Sequence, residues 1–365
     1  MRYIGNKTRL LPFLADVLGQ LGVAPGVAHD AFAGTASVGR ALKEYGWRVS
    51  SSDVMTYSYV FQRAYVVARY GPDARRVAAR DAEVRRAIRA KAFTPAASDG
   101  LSVLAEYLSA WVEPESGFIS QHFSATSGRM YFTDENAQRI DAARHALHRW
   151  RETELISEDA YYLLLAAIIE GADRVANTAG IYAAYIKTWQ PNAVKAFRVI
   201  PSKPVSRAGG SKAYRDDATV VAKRVGQVDL LYVDPPYNAR QYSGYYHIPE
   251  IIATGWFGTL PVVKGKTGLP VDRPPPSAWC NKAGAAMALD ELLRATGAKH
   301  VLVSYNTEGI LGNAEFRDIL DSRSVAPVQQ FEQPYKRYRA DQDGENRRYR
   351  ASGVTELIYY LQIRK

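Results

Sequence analysis

Val228-Asp229-Leu230-Leu231-Tyr232-Val233-Asp234-Pro235-Pro236-Tyr237-Asn238 is the stretch whose reading decides the fold. It begins as a short apolar, β-branched run of the length expected of a buried strand, and it halts at two prolines that cannot extend a ladder. A carboxylate, a rigid turn and an aromatic ring therefore meet at a strand's carboxyl end, the edge where open α/β sheets bind ligands. Asp234 brings one acceptor oxygen. Pro235 brings a carbonyl of fixed direction, because proline locks its own φ and restricts the residue before it. Two fixed acceptors side by side suit a planar NH2 group, and drawing on both hydrogens turns the nitrogen lone pair toward an electrophile. The face of Tyr237 offers a stacking platform for the attached ring, worth about 1–3 kcal/mol per base. The plainer alternative is a strand-ending turn with a packed tyrosine.

Working outward, residues 27–32 read as a first strand, followed by Ala33-Gly34-Thr35-Ala36-Ser37-Val38-Gly39-Arg40 and a helix through Tyr45. Strand, small-residue turn and helix open a nucleotide-binding α/β sheet, in which a turn poor in side chains lets backbone approach a ligand. The spacing is not G-x-G-x-x-G, so an adenosine ligand without phosphates fits better than a dinucleotide. A second strand, 47–52, ends at Asp53, 19 residues after Gly34. That is where such folds place the acid that holds a ribose hydroxyl, although a helix cap or loop acid would look the same. Downstream, Asp216-Asp217 precede a helix at 219–225 that feeds the central strand. A glycine- and proline-rich loop is expected at 265–276, helices at 283–295 and 315–321, and a strand at 300–304. Strands at 325–331 and 354–363 flank a charged segment, 336–350, and read as an antiparallel hairpin closing the sheet.

The 139 residues between the halves, 67–205, are too many for a loop and read as an inserted, mainly helical domain. The expected division is thus 1–66 and 206–365 for the sheet domain, with 67–205 between. Helices are expected at 75–91, 134–150 and 158–176. Between Arg174 and Arg215 lie eight basic residues and no acid. They include Lys187, Lys195, Arg198, Lys203, Arg207 and Lys212, interleaved with Asn177, Tyr182, Tyr185, Trp189 and Asn192. Phosphates want the cations, and base edges want amides and rings, so this stretch is the main candidate nucleic-acid surface. Arg240, just past the central motif, and Lys336 and Arg337 join the candidates. The alternative is a solvated basic face.

A net charge of +10 over 365 residues fits a polyanionic partner. Cys280 is the only cysteine, which excludes a disulfide framework and a cysteine-based metal site. Of the six histidines, only His145 and His148 are spaced as helix neighbours, and they are expected on a solvated face. No metal is implied. Arg2 and Lys7 interrupt the first apolar pattern, unlike a signal peptide, and the longest apolar run, 160–169, is too short to span a bilayer. A reducing cytoplasm and no membrane partner are the expectation.

Read jointly, Tyr3-Ile-Gly-Asn-Lys7, Asp30-Ala-Phe-Ala-Gly-Thr-Ala-Ser-Val-Gly39, Asp53, Asp217 and Asp234-Pro-Pro-Tyr237 resemble, in order, the Dam-like class of DNA adenine-N6 methyltransferases. Asn238-x-Arg240-Gln241-Tyr242 and Tyr245-Tyr246-His247 look like its type II restriction-modification branch. The resemblance implies a Rossmann-like class I S-adenosylmethionine-dependent sheet, mostly parallel with an antiparallel last strand, and a target-recognition role for the insertion. It implies S-adenosylmethionine as cofactor, double-stranded DNA as partner and a cognate restriction endonuclease. Tyr3 and Lys7 would line the cofactor site, the turn from Asp30 through Phe32 to Gly34 would pass beneath it, Asp53 would hold the ribose and Asp217 the cofactor's adenine amine. Asp234, Pro235 and Tyr237 would grip a target adenine flipped out of the duplex. Thr35-Ala36 departs from the family pattern, where another glycine is common. An RNA exocyclic-amine methyltransferase and a cytosine-N4 enzyme remain alternatives, since the amine chemistry is shared.

Overall fold

A computed structural model of the chain describes residues 1–69, 73–90, 100–206, 209–336 and 353–363. Its strands are β1 (Val27–Asp30), β2 (Arg48–Asp53), β3 (Lys212–Arg215), β4 (Gln227–Val233), β5 (Val263–Lys264), β6 (Leu269–Pro270), β7 (Gly297–Asn306), β8 (Gln329–Lys336) and β9 (Gly353–Gln362). The chain divides into two compact units, each built from several segments. The sheet unit comprises Gly5–Gln62, Arg207–Tyr242 and Pro274–Lys365; the helical unit comprises Met1–Ile4, Arg63–Ser206 and Ser243–Arg273. Residues 243–273 and the first four thus join the helical unit rather than the sheet.

In the sheet unit seven strands run in the order β3-β2-β1-β4-β7-β9-β8. β3, β2, β1, β4 and β7 pair in parallel, whereas β9 is antiparallel to both β7 and β8. This is a mostly parallel sheet with an antiparallel closing hairpin, as the resemblance implies. The reason β4 is central is legible in Leu230-Leu231-Tyr232-Val233, buried throughout, because a strand covered on both faces needs apolar side chains on both. Helices Ala218–Val225, Lys282–Ala295 and Asn313–Arg323 cover one face. There Leu231, Val233, Leu289, Leu292, Val301, Val303, Phe316, Leu320 and Tyr359 form a core, and each large side chain contributes about 1.5–3 kcal/mol.

One strand is new, and three expectations change. Lys212-Ala-Tyr-Arg215 forms the edge strand β3, paired with β2 from Ser50 to Asp53. Its composition gives no apolar signal; charged ends suit an edge that must not recruit further strands. The expected single helix at 75–91 breaks at Asp81, whose Oδ1 accepts from the backbone N–H groups of Glu83 and Val84 and caps Ala82–Ala90. The expected loop at 265–276 begins with the β5–β6 hairpin. His145 and His148 are half-exposed, and each is also held by neighbours. His145 bonds Glu115 through Nδ1 and accepts from Trp256 Nε1 at 2.9 Å, while His148 stacks on Phe257 at 3.7 Å.

The helical unit is organised on Asp134–Glu152, capped by Thr133, and Glu158–Val175, capped by Ser157. The two pack against each other. Among the described residues no helix is long and apolar enough to cross a membrane.

Candidate active site

Asp234 follows the last residue of β4, and its side chain is 15% exposed. Tyr237, three residues on, folds back so that its hydroxyl donates to Asp234 Oδ1 and shares a 2.9 Å hydrogen bond with Ser304 Oγ on β7. The turn is pinned by the carbonyl of Tyr237, which accepts from Ile310 N at 2.8 Å, and by an edge-on contact with Tyr305. Pro235 is buried. A third element enters from the amino terminus. Gly5, at φ +78°, makes a turn that β-carbons disfavour, and the chain then carries Lys7 inward until it is 4% exposed. Its ammonium donates to Tyr237 Oη at 2.6 Å and lies 3.3 Å from both Asp234 Oδ1 and Glu356 Oε2. Every one of these contacts on Asp234 falls on Oδ1, so Oδ2 is the oxygen left to an incoming donor.

Alongside, the β1 turn builds a second acidic corner. Asp30 Oδ2 accepts from Gly39 N at 3.1 Å, while Oδ1 is buried without a partner. Burial, with Asp234 nearby, pushes the Asp30 carboxyl up to about 7. Asp53 accepts from Gly34 N at 3.0 Å and Met55 N at 2.9 Å, and burial raises its pKa too. Burial likewise raises Asp234 and Glu356, against the pull of Lys7. Among the described residues no ion pair engages Asp30 or Asp53. Four carboxyls held above their ordinary range, with one ammonium shared by two of them, make a corner short of positive charge. A cationic ligand relieves that shortage, and a sulfonium with an α-amino group is such a ligand. Phe32 sits edge-on to Trp279 at 4.9 Å, flanking the turn.

Residues 3–333 match the profile of the D12 class N6 adenine-specific DNA methyltransferases. The chain belongs to that family. It is 33% identical over 368 residues to the type II methyltransferase M.NlaIII of Neisseria lactamica, covering 99% of both chains. It is 32% identical over 372 residues to the type II methyltransferase M.FokI of Planomicrobium okeanokoites, covering 99% of this chain and 52% of that one. It is 31% identical over 247 residues to the type II methyltransferase M.CviAII of Paramecium bursaria Chlorella virus 1, covering 68% of this chain and 70% of that one. The match favours adenine and DNA over the cytosine-N4 and RNA alternatives. Enzymes of this kind generally use S-adenosylmethionine.

The methyltransferase places its remaining candidates less uniformly. Asp217 is exposed and caps Ala218–Val225, its Oδ1 accepting from Thr219 N at 2.8 Å and Val220 N at 3.4 Å. Tyr3 belongs to the helical unit, stacked on Tyr246 at 4.7 Å. Ala36 stands at φ 58°, which is why a glycine is the easier residue there; the methyl group costs about 1 kcal/mol of backbone strain. Lys187, Lys195 and Lys203 are exposed in the helical unit, but Arg198 pairs with Glu106 at 3.1 Å. Lys212 is exposed on edge strand β3. Arg240 is exposed too, and its carbonyl accepts from the buried Cys280 thiol. Arg207, Arg337 and the Lys336 side chain lie outside the described residues.

The amides and one ring of the basic stretch are not available to bases. Asn177 donates to the carbonyls of Met130 and Ile186 and accepts from Gln190 N; Asn192 donates to the carbonyls of Arg174 and Ala176. Tyr182 is fully buried, its hydroxyl on Asp173. Long irregular chain must satisfy its peptide groups somewhere, and here side chains supply the partners. Ser304 and Glu356 are the functional-corner residues that sequence reasoning missed. The single acid within Thr355-Glu-Leu-Ile-Tyr-Tyr-Leu361, an otherwise apolar strand, is the signal that marks Glu356.

Proposed function

We propose that this methyltransferase is the modification half of a restriction-modification system, transferring a methyl group from S-adenosylmethionine to N6 of an adenine extruded from duplex DNA. S-adenosylmethionine, when bound, supplies a methyl group on a sulfonium, reactive without a metal. The residues assigned to hold it are Asp30, Phe32 and Gly34 on the first turn, Asp53 for the ribose hydroxyls, Asp217 for its adenine amine, and Tyr3. The carboxylate-rich, cation-poor corner supports that assignment. Asp234 Oδ2 and the Pro235 carbonyl accept the two hydrogens of the target amine and turn its lone pair outward. Tyr237 carries the base on its ring, and extrusion costs a few kcal/mol. Lys7 pulls Asp234 toward its ionised form against the effect of burial, and the group's part is to orient the amine rather than to deprotonate it. The surplus proton leaves N6 after transfer.

The observation that carries this reading is Asp234 at the end of β4, with Oδ1 fixed by Tyr237 and Lys7 and Oδ2 unclaimed. The type II and modification names of the relatives support a restriction partner acting at the same site. Wild-type protein, duplex DNA and labelled cofactor are expected to yield N6-methyladenine. Asp234→Ala should reduce that yield by about 1,000-fold or more, equivalent to about 4 kcal/mol, with an unchanged unfolding midpoint. Wild-type-like turnover in that variant removes the assignment.

A further inference from the structure

Three segments of the helical unit, far apart in sequence, are bolted together around Tyr131. That tyrosine is fully buried, and its hydroxyl lies 2.8 Å from the carbonyl oxygen of Tyr182 and 3.2 Å from that of Thr267, sharing one proton between them. Arg129 spends its guanidinium on two carbonyls, those of His122 and Gly265, each at 3.1 Å. His247 reaches the Thr267 carbonyl at 3.1 Å, and Tyr185 donates to Gly128 O at 3.2 Å. The turn at 128–131, the loop at 182–187 and the tip of the β5–β6 hairpin therefore form one rigid surface. The tip itself is Gly265-Lys-Thr-Gly268, with the glycines at φ +72° and +69°. A β-carbon on Gly268 would stand 2.6 Å from the Phe123 ring, so the tip is seated closely.

What the hairpin turns outward is unlike an ordinary solvated loop. Leu260, Val262 and Val271 are 63%, 64% and 53% exposed. Val262 and Val271, just before β5 and just after β6, are joined by a backbone hydrogen bond of 2.8 Å, so the two residues stand side by side at the base of the hairpin. Lys264, Lys266 and, from the adjoining loop, Lys187 are exposed as well. Among the described residues no ion pair engages any of the three lysines; the acid nearest in sequence to the hairpin is the exposed Asp272. Clustered apolar exposure on a monomer marks a contact surface, and unpaired cations around it select a polyanion. Lysines on phosphates with aliphatic side chains against sugars and base edges is a recurring way of holding duplex DNA.

The geometry points to the hairpin spanning residues 262–271 as a DNA-contacting element of the helical unit, fixed in advance by Tyr131. This rests on the function proposed above and moves the contact from the basic stretch alone to an element the sequence shows only as a loop. The test is DNA affinity by fluorescence anisotropy, measured across salt concentrations for wild type and for the double variant Lys264→Ala, Lys266→Ala. Both positions are exposed, so folding and cofactor binding are expected to be unchanged, as thermal unfolding and calorimetry would check. Affinity should fall about tenfold, and the slope of log K against log salt should become shallower by about 1.8, at roughly 0.9 per lost phosphate contact. Wild-type affinity and slope in the double variant would overturn the hairpin assignment while leaving the methylation reading intact. A wild-type protein that neither binds nor methylates duplex DNA would sink both.

Discussion

Asp30 shows how a single buried oxygen sets a measurable property. Its Oδ1 has no partner, Gly39 N–H holds its Oδ2, and its carboxyl is pushed up to about 7 by burial and by Asp234. On the function proposed above, a cationic methyl donor needs this group ionised. Its affinity should therefore rise with pH, up to about tenfold per unit below 7, and level off above. Calorimetric titration from pH 5.5 to about 8.5 should show this dependence together with proton release, and Asp30→Asn should bind weakly and flatten the curve. The sign for stability is opposite. With the folded pKa above the unfolded one, the Asp30 contribution is complete below pH about 4 and is lost as the pH rises through about 7. Ligand-free wild type should lose more of its unfolding midpoint between those limits than Asp30→Asn does. An identical trend in both proteins would refute the assignment of that shift to Asp30.

At the scale of an element, one residue can serve a helix and a ligand, and the two are separable. Asp217 caps Ala218–Val225 through Oδ1. Asparagine caps as well as aspartate does, whereas alanine gives up about 1 kcal/mol. Asp217→Ala should therefore lower stability by that amount and weaken cofactor binding, while Asp217→Asn should keep the stability of wild type. Equal cofactor affinity in all three proteins would reduce Asp217 to a cap. The same reasoning applies to Asp53, whose oxygens accept from Gly34 N and Met55 N. It shapes the glycine turn at the same position where a ribose ligand is expected. β3 is the contrasting case, an edge strand whose existence comes from pairing with β2 and not from its own side chains.

For the molecule as a whole, the excess of cations is the property with the longest reach. The net charge is +10, yet the candidate corner at the end of β4 is acidic, so the positive charge lies on exposed side chains such as Lys187, Lys195, Lys203, Lys264 and Lys266. Three or more phosphate contacts among these predict a salt slope steeper than about −2.7, or a loss of about 40-fold in affinity between roughly 50 and 200 mM salt. A flat response in a filter-binding or anisotropy titration would remove the DNA-surface reading altogether. Both units are built from segments that leave and re-enter them, and truncation at residue 67 would cut at the end of the helical turn Arg63–Val67, whereas residue 205 lies beside the division between the units at Ser206.

Local chemistry made much of this legible. The apolar run of β4 halted by Pro235-Pro236, the small-residue turn at 33–39 and the apolar run of β9 each state their role within ten residues, because burial and backbone restriction act on neighbours in the chain. Those readings carried the sheet, its antiparallel closure and the place of Asp234. Tertiary structure alone decided the rest. It brought Glu356 and Ser304 to Lys7 and Tyr237, turned the amides of the basic stretch inward, and fastened a hairpin at 263–270 to a tyrosine at 131. Those outcomes depend on which distant groups meet in low dielectric and which peptide groups lack a helix or ladder to satisfy them, and a one-dimensional pattern does not contain either quantity.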